Sequence, residues 1–255
     1  MYLVRSSVRS KTYGGSVARW EIMISCTVCS HSNDDLETIC ASCGSFLQDR
    51  IPNLDFFATL WELVESPKEA FRRIIRAEHK NYVLVLMFFL GIAAAFTLLW
   101  ARHAGNEFDN LIHLILLGFA LGLGMAYPVG LGLVLVVHWA MKLLGGKGVV
   151  RNTYAVLGWS LIPIMLSVAV VLPIELASVG LRLFSTNPSP MDVKPVVYLV
   201  LLAIDAFAFV WSVNLARVGL SIAHKISPLK SFEAVFTVSA AFSVALYKLF
   251  SSFIL

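Results

Sequence analysis

Five long runs of apolar residues limit the folds that are open to this chain. Each run reaches the roughly 20 residues that an α-helix needs to cross about 30 Å of hydrocarbon. Only 14% of the residues are charged and 58% are hydrophobic, whereas soluble domains are nearer a quarter charged. The sequence therefore predicts an all-α integral membrane protein with a bundle of five transmembrane helices. The runs cover residues 82–101, 114–137, 155–174, 196–216 and 234–255.

Lysine and arginine residues alternate in number between successive loops, and this alternation predicts an orientation. Basic residues near the ends of spans resist translocation, so the loops that hold more of them stay in the cytoplasm. Basic residues are frequent at 68–80, 142–151 and 217–230, whereas the intervening loops hold few or balance them with acids. We expect a cytoplasmic N-terminus and, because five is odd, an extracytoplasmic C-terminus.

All four cysteines lie in two Cys-x-x-Cys pairs ahead of the first span, namely Cys26, Cys29, Cys40 and Cys43. The cytoplasm keeps thiols reduced, so disulfides are disfavoured there. Two such pairs suit the tetrahedral binding of one structural zinc ion. The sequence therefore predicts a small zinc ribbon over residues 23–50, folded by its metal because the polar spacer supplies no core. The acidic residues Asp34, Asp35 and Glu37 favour recognition of a protein partner over nucleic acid.

Residues 1–22 precede this ribbon and carry much of the chain's net charge of +4. They are rich in Ser and Arg and lack the apolar segment of a secretory signal. We expect either a disordered extension or a mis-assigned start, with Met23 as the alternative first residue. Without them 16 basic and 15 acidic residues remain, so the charge gives no argument for binding nucleic acid.

Residues 51–81 are predicted to form two short amphipathic helices between the ribbon and the first span. Ser66, Pro67 and Glu69 are typical of a helix start. The second helix places its basic residues away from Phe71 and Ile75, which favours a position in the headgroup layer. The alternative is a helix packed on the cytoplasmic loops.

Small residues recur every four positions in the second span, at Gly118, Gly122, Ala126 and Gly130. Such a face lets helices approach closely within a bilayer. We expect packing within the chain, and homo-oligomerisation is the alternative.

Polar residues within the spans are costly and often functional. Asp205 lies in the fourth span, Lys248 in the fifth at a comparable depth, and Asn214 nearer the cytoplasm. An ion pair between Asp205 and Lys248 is the prediction, either as a structural contact or as part of an ion or proton path. No common catalytic motif is present, so no catalytic residue is assigned and we expect a protein that is not an enzyme.

Several short motifs resemble the Yip (Ypt/Rab-interacting protein) domain. They are Ser66-Pro67 followed by Phe71, the stretch Gly158-Trp159-Ser160-Leu161-Ile162-Pro163 in the third span, and Trp211-Ser212 before the last cytoplasmic loop. The resemblance implies a five-span domain, here at residues 82–255, and a ribbon-bearing protein of the prokaryotic type. In eukaryotic relatives it implies binding of prenylated small GTPases and a role in vesicle traffic.

Two functions are compatible with these features. The first is a non-enzymatic scaffold or organising factor in a bacterial cytoplasmic membrane, whose zinc ribbon binds a protein partner. The second is a small transporter or channel that uses Asp205. The spans hold few polar residues at depth, and transport paths usually need several, so the sequence favours the scaffold.

Overall fold

The computed structural model describes residues 6–11, 19–48 and 51–251. Three short strands come first: β1 (Ser6–Lys11), β2 (Arg19–Ser25) and β3 (Ser32–Asp34). They form one antiparallel sheet in the order β1-β2-β3, with Ser7 opposite Met23 and Ile24 opposite Asn33. Part of the segment predicted to be disordered, residues 6–11 and 19–22, therefore lies in strands. Residues 1–5 and 12–18 lie outside the described residues, and the start at Met23 stays a prediction.

Ten helices follow the sheet among the described residues. Four helical segments are long and apolar enough to cross a membrane: α3 (Val83–Ala101), α4 (Leu111–Leu143), the composite third segment Val150–Phe184, and α9 (Pro195–His224). They correspond to the first four predicted spans and extend most of them. The last predicted span corresponds to α10 (Pro228–Ser251), which is not one of the four, so the count of five spans stays a prediction. Residues 252–255 lie outside the described part of the chain.

The third span is broken rather than continuous. It consists of α5 (Val150–Ser160), α6 (Ile162–Leu166), a π-helical turn (Ser167–Val171), α7 (Leu172–Val179) and a 3₁₀ turn (Gly180–Phe184). Pro163 and Pro173 lie near the starts of α6 and α7, because proline has no N–H to give to the preceding turn. Single π-helical turns within α-helical segments, such as the one at Ser167–Val171, frequently lie at functional sites.

Helices α3 and α4 approach each other through their small residues. A Cβ atom added at Gly122 would lie 2.8 Å from the Ile92 Cα atom, and one added at Gly91 would lie 2.4 Å from the Gly122 carbonyl oxygen. Gly118 faces the Phe96 ring and Gly130 faces the Met87 sulfur at similar separations. The small-residue face predicted from the sequence thus lies against a helix of the same chain.

Helices α1 (Phe56–Glu65) and α2 (Pro67–Arg76) connect the ribbon to the first span. Phe71 and Ile74 of α2 are fully buried, and the Phe71 ring lies against Gly219 of α9. The apolar face of α2 is therefore covered by protein of the same chain. Its position in the headgroup layer, and the alternative of a helix packed on the cytoplasmic loops, stay predictions. Two short elements, a 3₁₀ turn (Ala104–Asn106) and α8 (Pro190–Val193), lie between spans.

Candidate metal centre and intramembrane cavity

The four cysteines converge on one point of the ribbon. Their Sγ atoms all lie within 4.8 Å of one another, and the Cys26–Cys43 and Cys29–Cys40 sulfur pairs are both 3.6 Å apart. Four sulfurs about 2.3 Å from a tetrahedral zinc ion would be separated by about 3.8 Å. The arrangement can therefore hold one metal ion with four thiolate ligands. His31 lies between the two cysteine pairs in the sequence, but it is exposed and is not one of this group.

Tight turns place each pair of cysteines. Ser30 and Gly44 follow the pairs with positive φ angles of 59° and 71°, which glycine adopts without strain. The Ser30 amide donates to the Cys26 carbonyl at 2.9 Å, and the Gly44 amide donates to the Cys40 carbonyl at 3.0 Å. Each turn therefore closes on its own first cysteine and presents two sulfurs on one side.

Hydrogen bonds favour the thiolate form at two sulfurs, those of Cys26 and Cys40. At Cys29 a backbone hydrogen bond from His31 is outweighed by burial and the neighbouring sulfurs, which raise the pKa to about 11. The Ser45 hydroxyl lies 3.0 Å from the Cys26 sulfur, and this contact lowers the pKa of Cys26 to about 6. The backbone amide of Cys43 lowers the pKa of Cys40. A metal binds deprotonated cysteine, so these contacts prepare the sulfurs of Cys26 and Cys40 to act as ligands.

The ribbon is fastened to the membrane domain by charged groups. Asp35 lies 3.5 Å from Arg72 of α2, and Asp34 forms an ion pair with Lys225 at the end of α9. Arg76 donates a hydrogen bond of 2.5 Å to the Gln48 side chain. Burial raises the pKa of Asp35 although Arg72 opposes this effect. Two of the acidic residues that the sequence suggested for a partner thus contact the chain itself.

Lys80 fastens the end of α2. Its ammonium group donates to the carbonyl oxygens of Ile74, Ile75 and Ala77 at distances of 2.7 to 2.9 Å. Burial, and then the charge of Arg151, lowers the pKa of Lys80 to about 8. Arg151 itself donates to the Glu78 carbonyl oxygen. This junction joins α2 to the start of the third span.

A large cavity lies among the helices of the membrane domain. Its volume is about 610 Å³, and residues of α3, α4, the third span, α9 and α10 line it. Asp205 of α9 accepts a hydrogen bond from the Ser167 hydroxyl in the π-helical turn. Glu175 of the third span is buried and lines the same cavity as Asp205. Asp205 therefore contacts the third span, and its predicted pair with Lys248 stays a prediction.

The other polar residues singled out in the spans lie away from this cavity. Asn214 and Lys248 are exposed on the helix surfaces, and neither lines the cavity. These two residues were singled out by their depth along a span, which can be read from a sequence. The direction in which each side chain points around the helix axis cannot be read in the same way.

Sequence reasoning missed a buried contact between two histidines. The Thr153 hydroxyl lies 2.9 Å from His138 Nδ1 and 2.8 Å from His224 Nε2. His224 is fully buried, and side chains at Gly146 and Gly148 would collide with its ring. The glycines Gly146 and Gly148, in the loop at residues 145–148, are the feature of the sequence that could have indicated this close contact.

The Gly-Trp-Ser-Leu-x-Pro stretch of the third span is buried at a helix contact. A Cβ atom at Gly158 would lie 2.4 Å from the Val83 side chain. The Trp159 ring is fully buried. Its centroid lies 5.9 Å from the centroid of the Phe56 ring and 6.0 Å from that of the Tyr82 ring. Ser160 donates to the Val156 carbonyl oxygen, and Pro163 follows the break after α5. The stretch joins α1 and the first span to the third.

Comparison with known sequences identifies the domain that carries these features. The family model of the Yip1 domain matches residues 61–249. Neither the comparison with curated proteins nor the one with solved structures gives a match. The matched range begins in α1 and covers the four candidate spans and most of α10, with the cysteine cluster ahead of it. The chain is a multi-pass membrane protein that belongs to the Yip1 domain family.

Proposed function

We propose that this protein is a non-enzymatic membrane scaffold whose zinc-bearing ribbon presents a protein-binding surface at the cytoplasmic face. The observation that carries the proposal is the way the ribbon is held. Its acidic side contacts Arg72 and Lys225 of the membrane domain, which leaves the opposite side facing outward. The ribbon is thus a rigid projection and not a tethered, mobile one.

The ribbon has apolar residues at its surface, of which Ile39 also lines a crevice beside the end of α2. Val28 is 73% exposed, Phe46 62% and Ile39 42%, and Ile39 and Phe46 pair through a β-bridge. Exposed apolar groups with a polar surround are typical of protein-binding surfaces. We therefore assign partner binding to these residues and not to the acidic residues.

Helix α1 supports the placement at the membrane surface. Phe57, Trp61 and Val64 share one helical face, because they are four and three residues apart, and all three are more than half exposed. Aromatic side chains favour the membrane interface. In this proposal α1 lies at the headgroup layer with that face toward lipid, while α2 is covered by protein.

The zinc ion in this proposal is structural. All four ligand positions are cysteines, and a closed site of four thiolates is typical of structural zinc. No position is left for water or substrate. The ion would hold the two cysteine turns together and so fix the positions of Val28 and Phe46.

Site-specific crosslinking tests the proposal. A photoreactive amino acid at Val28 should capture one protein reproducibly in native membranes, whereas the same group at exposed Glu107 in a loop between spans should not. Cys40→Ser should abolish the capture while the spans remain folded in detergent. Capture that persists in Cys40→Ser, or that is equal from Glu107, would contradict the proposal.

The cavity at Asp205 favours a second candidate function, transport of an ion or small solute. Reconstituted vesicles distinguish the two functions. Flux that is lost in Asp205→Asn and kept in Glu107→Gln would support transport and count against a pure scaffold.

A further inference from the structure

The polar groups of the intramembrane cavity form a pattern that neither partner binding nor the metal centre uses. Tyr198, Asp205 and Ser212 of α9 all line the cavity. Each is seven residues, or about two helical turns, from the next, so all three lie on one face of α9. Glu175 and Ser167 line the cavity from the third span. The rest of the lining is almost entirely apolar or aromatic.

The charge of this cavity is unbalanced. Asp205 and Glu175 bring two carboxyl groups to its lining, from α9 and from the third span. None of the described residues that line the cavity is lysine, arginine or histidine. A charge in an apolar surrounding without a counter-charge is costly, so the cavity is suited to a cation.

A second observation points to a ligand independently of the carboxyl groups. The Ser212 side chain is only 5% exposed, and its hydroxyl oxygen has no hydrogen-bond partner among the described residues. A buried hydroxyl without a partner is uncommon. Because Ser212 lies about 10 Å from Asp205 along the same face, one bound molecule could contact both positions.

The size and lining of the cavity define the body of that molecule. Its volume of about 610 Å³ is far larger than a water molecule or a bare alkali ion needs and falls in the range of small-molecule sites. The rings of Trp100, Phe184 and Phe209 line it, and aromatic faces attract cations as well as apolar groups. An organic body therefore fits better than a hydrated metal ion.

We propose that the cavity binds an organic cation with one positive charge and an apolar body, held by the Asp205 and Glu175 carboxyl groups and by the Ser212 hydroxyl. An ammonium group on an apolar body occurs both in membrane lipids and in free amphipathic amines. The inference is independent of the scaffold proposal, since it uses no residue of the ribbon.

Binding of radiolabelled tetraphenylphosphonium to the full-length protein in nanodiscs of an uncharged glycolipid tests this inference, with empty discs subtracted. We expect saturable binding that Asp205→Asn and Glu175→Gln each weaken at least tenfold and Ser212→Ala weakens about threefold. Glu107→Gln removes an exposed carboxylate outside the cavity and should bind like the wild type. Dodecyltrimethylammonium should displace the probe, whereas dodecanol should not.

Two outcomes would overturn the inference: carboxyl variants that bind within twofold of the wild type, or displacement by dodecanol as effective as by the cation. The nanodisc experiment also distinguishes a membrane lipid from a free amine as the natural occupant of the cavity. If added phosphatidylethanolamine competes with the probe, the natural occupant is a lipid; if binding is unchanged, it is a free amine.

A measurement on the wild-type protein tests the same site without requiring that any variant fold. Carbodiimides modify protonated carboxyl groups in apolar surroundings, so dicyclohexylcarbodiimide should label Glu175 or Asp205, as located by mass spectrometry. Tetraphenylphosphonium should slow this labelling severalfold. Labelling at an unchanged rate, or at neither carboxyl group, would contradict the proposed site.

Discussion

Lys80 stabilises the junction between α2 and the first span through one ammonium group. Its three hydrogen bonds satisfy carbonyl oxygens at the end of a helix, where a positive charge also interacts favourably with the helix dipole. The sequence placed Lys80 among basic residues facing headgroups, because a basic amphipathic helix is typical of that position. Only the structure shows that the Lys80 side chain binds the carbonyl groups at the C-terminal end of α2.

Lys80→Met is expected to destabilise the protein by about 2 kcal/mol at pH 7, because buried carbonyl groups lose their donor. Thermal unfolding in detergent, followed by loss of the monodisperse species, measures this effect. Lys68→Met is the matched control, since Lys68 is an exposed lysine in the first turn of α2. An equal effect of the two substitutions would contradict the role of Lys80.

Stability should also depend on pH through Lys80. Burial lowers its pKa to about 8 in the folded protein, whereas an unfolded lysine has a pKa of about 10.4. Between these values the unfolded chain binds more protons, so a titration-dependent contribution of Lys80 to stability increases as the pH rises. This contribution is lost as the pH falls through about 8, where the hydrogen-bond contribution tested at pH 7 remains. The difference in unfolding midpoint between wild type and Lys80→Met should therefore widen from pH 8 to pH 10.

The cysteine and carboxyl residues show what single positions of a sequence can predict. Cys26 and its three partners were identified from spacing alone, because two short turns have few ways to arrange four sulfurs. Glu175 was not identified from the sequence, because its position beside Asp205 in the cavity depends on how two helices are rotated about their axes. His138 and His224 were missed for the same reason, since their contact needs three helix ends to meet.

Among the helices, α3 and α4 have the closest contact. Gly122 lies where a Cβ atom would come within 2.8 Å of the Ile92 backbone, whereas Gly124, two residues on, has nothing within 4 Å of the same atom. The spacing of small residues predicted this face, because a period of four residues is readable in a sequence. It did not predict which helix would cover it.

Gly122→Leu is expected to destabilise the domain by several kcal/mol, because backbone on both sides prevents relaxation. Gly124→Leu, which adds the same side chain on an open face, should change stability by less than about 1 kcal/mol. Fluorescence-detected size-exclusion chromatography after heating compares the two. A tolerated leucine at Gly122 would show that the two helices do not pack as described.

The third span shows the limit of prediction for elements. Proline interrupts helices, and the structure breaks the third span near Pro163. The π-helical turn at Ser167–Val171 has no comparable signal in the sequence, and its first residue contacts Asp205 on another helix. Pro128, by contrast, lies inside an α4 that continues past it.

At the scale of the whole molecule, the ribbon has little core of its own, and the proposed metal ion would have to hold it together. Its buried apolar cluster consists of only Ile24, Leu47 and two of the cysteines among the described residues. A core of this size contributes little, so the thiolate–metal bonds must supply most of the folding energy.

Removal of zinc by a chelator is expected to unfold the ribbon and leave the membrane helices folded. Hydrogen exchange should increase over residues 23–48 and change little in α3 and α4. Purified protein should contain one zinc ion per chain, and Cys40→Ser should contain less than half of that amount, while Ser42→Ala, at an exposed position between the ligands, should keep it. Full protection of the ribbon without metal would contradict a structural role.

The membrane class and the family resemblance were predictable for the whole chain because hydropathy and short motifs are local properties. The docking of the ribbon was not, because it joins residues from distant parts of the chain. Asp34 contacts Lys225, and Asp35 contacts Arg72. Charge alone suggested an external partner for these acids.

The ion pair between Asp34 and Lys225 also has a consequence for biosynthesis. Asp34 is translated before the first span, whereas Lys225 emerges only after the fourth. The ribbon can take up its metal early, yet it cannot settle into its final position until nearly the whole protein has been inserted. Its complete docking therefore reports that membrane insertion has reached the end of α9, and a product truncated before that point would carry a ribbon held only by its contacts with α2.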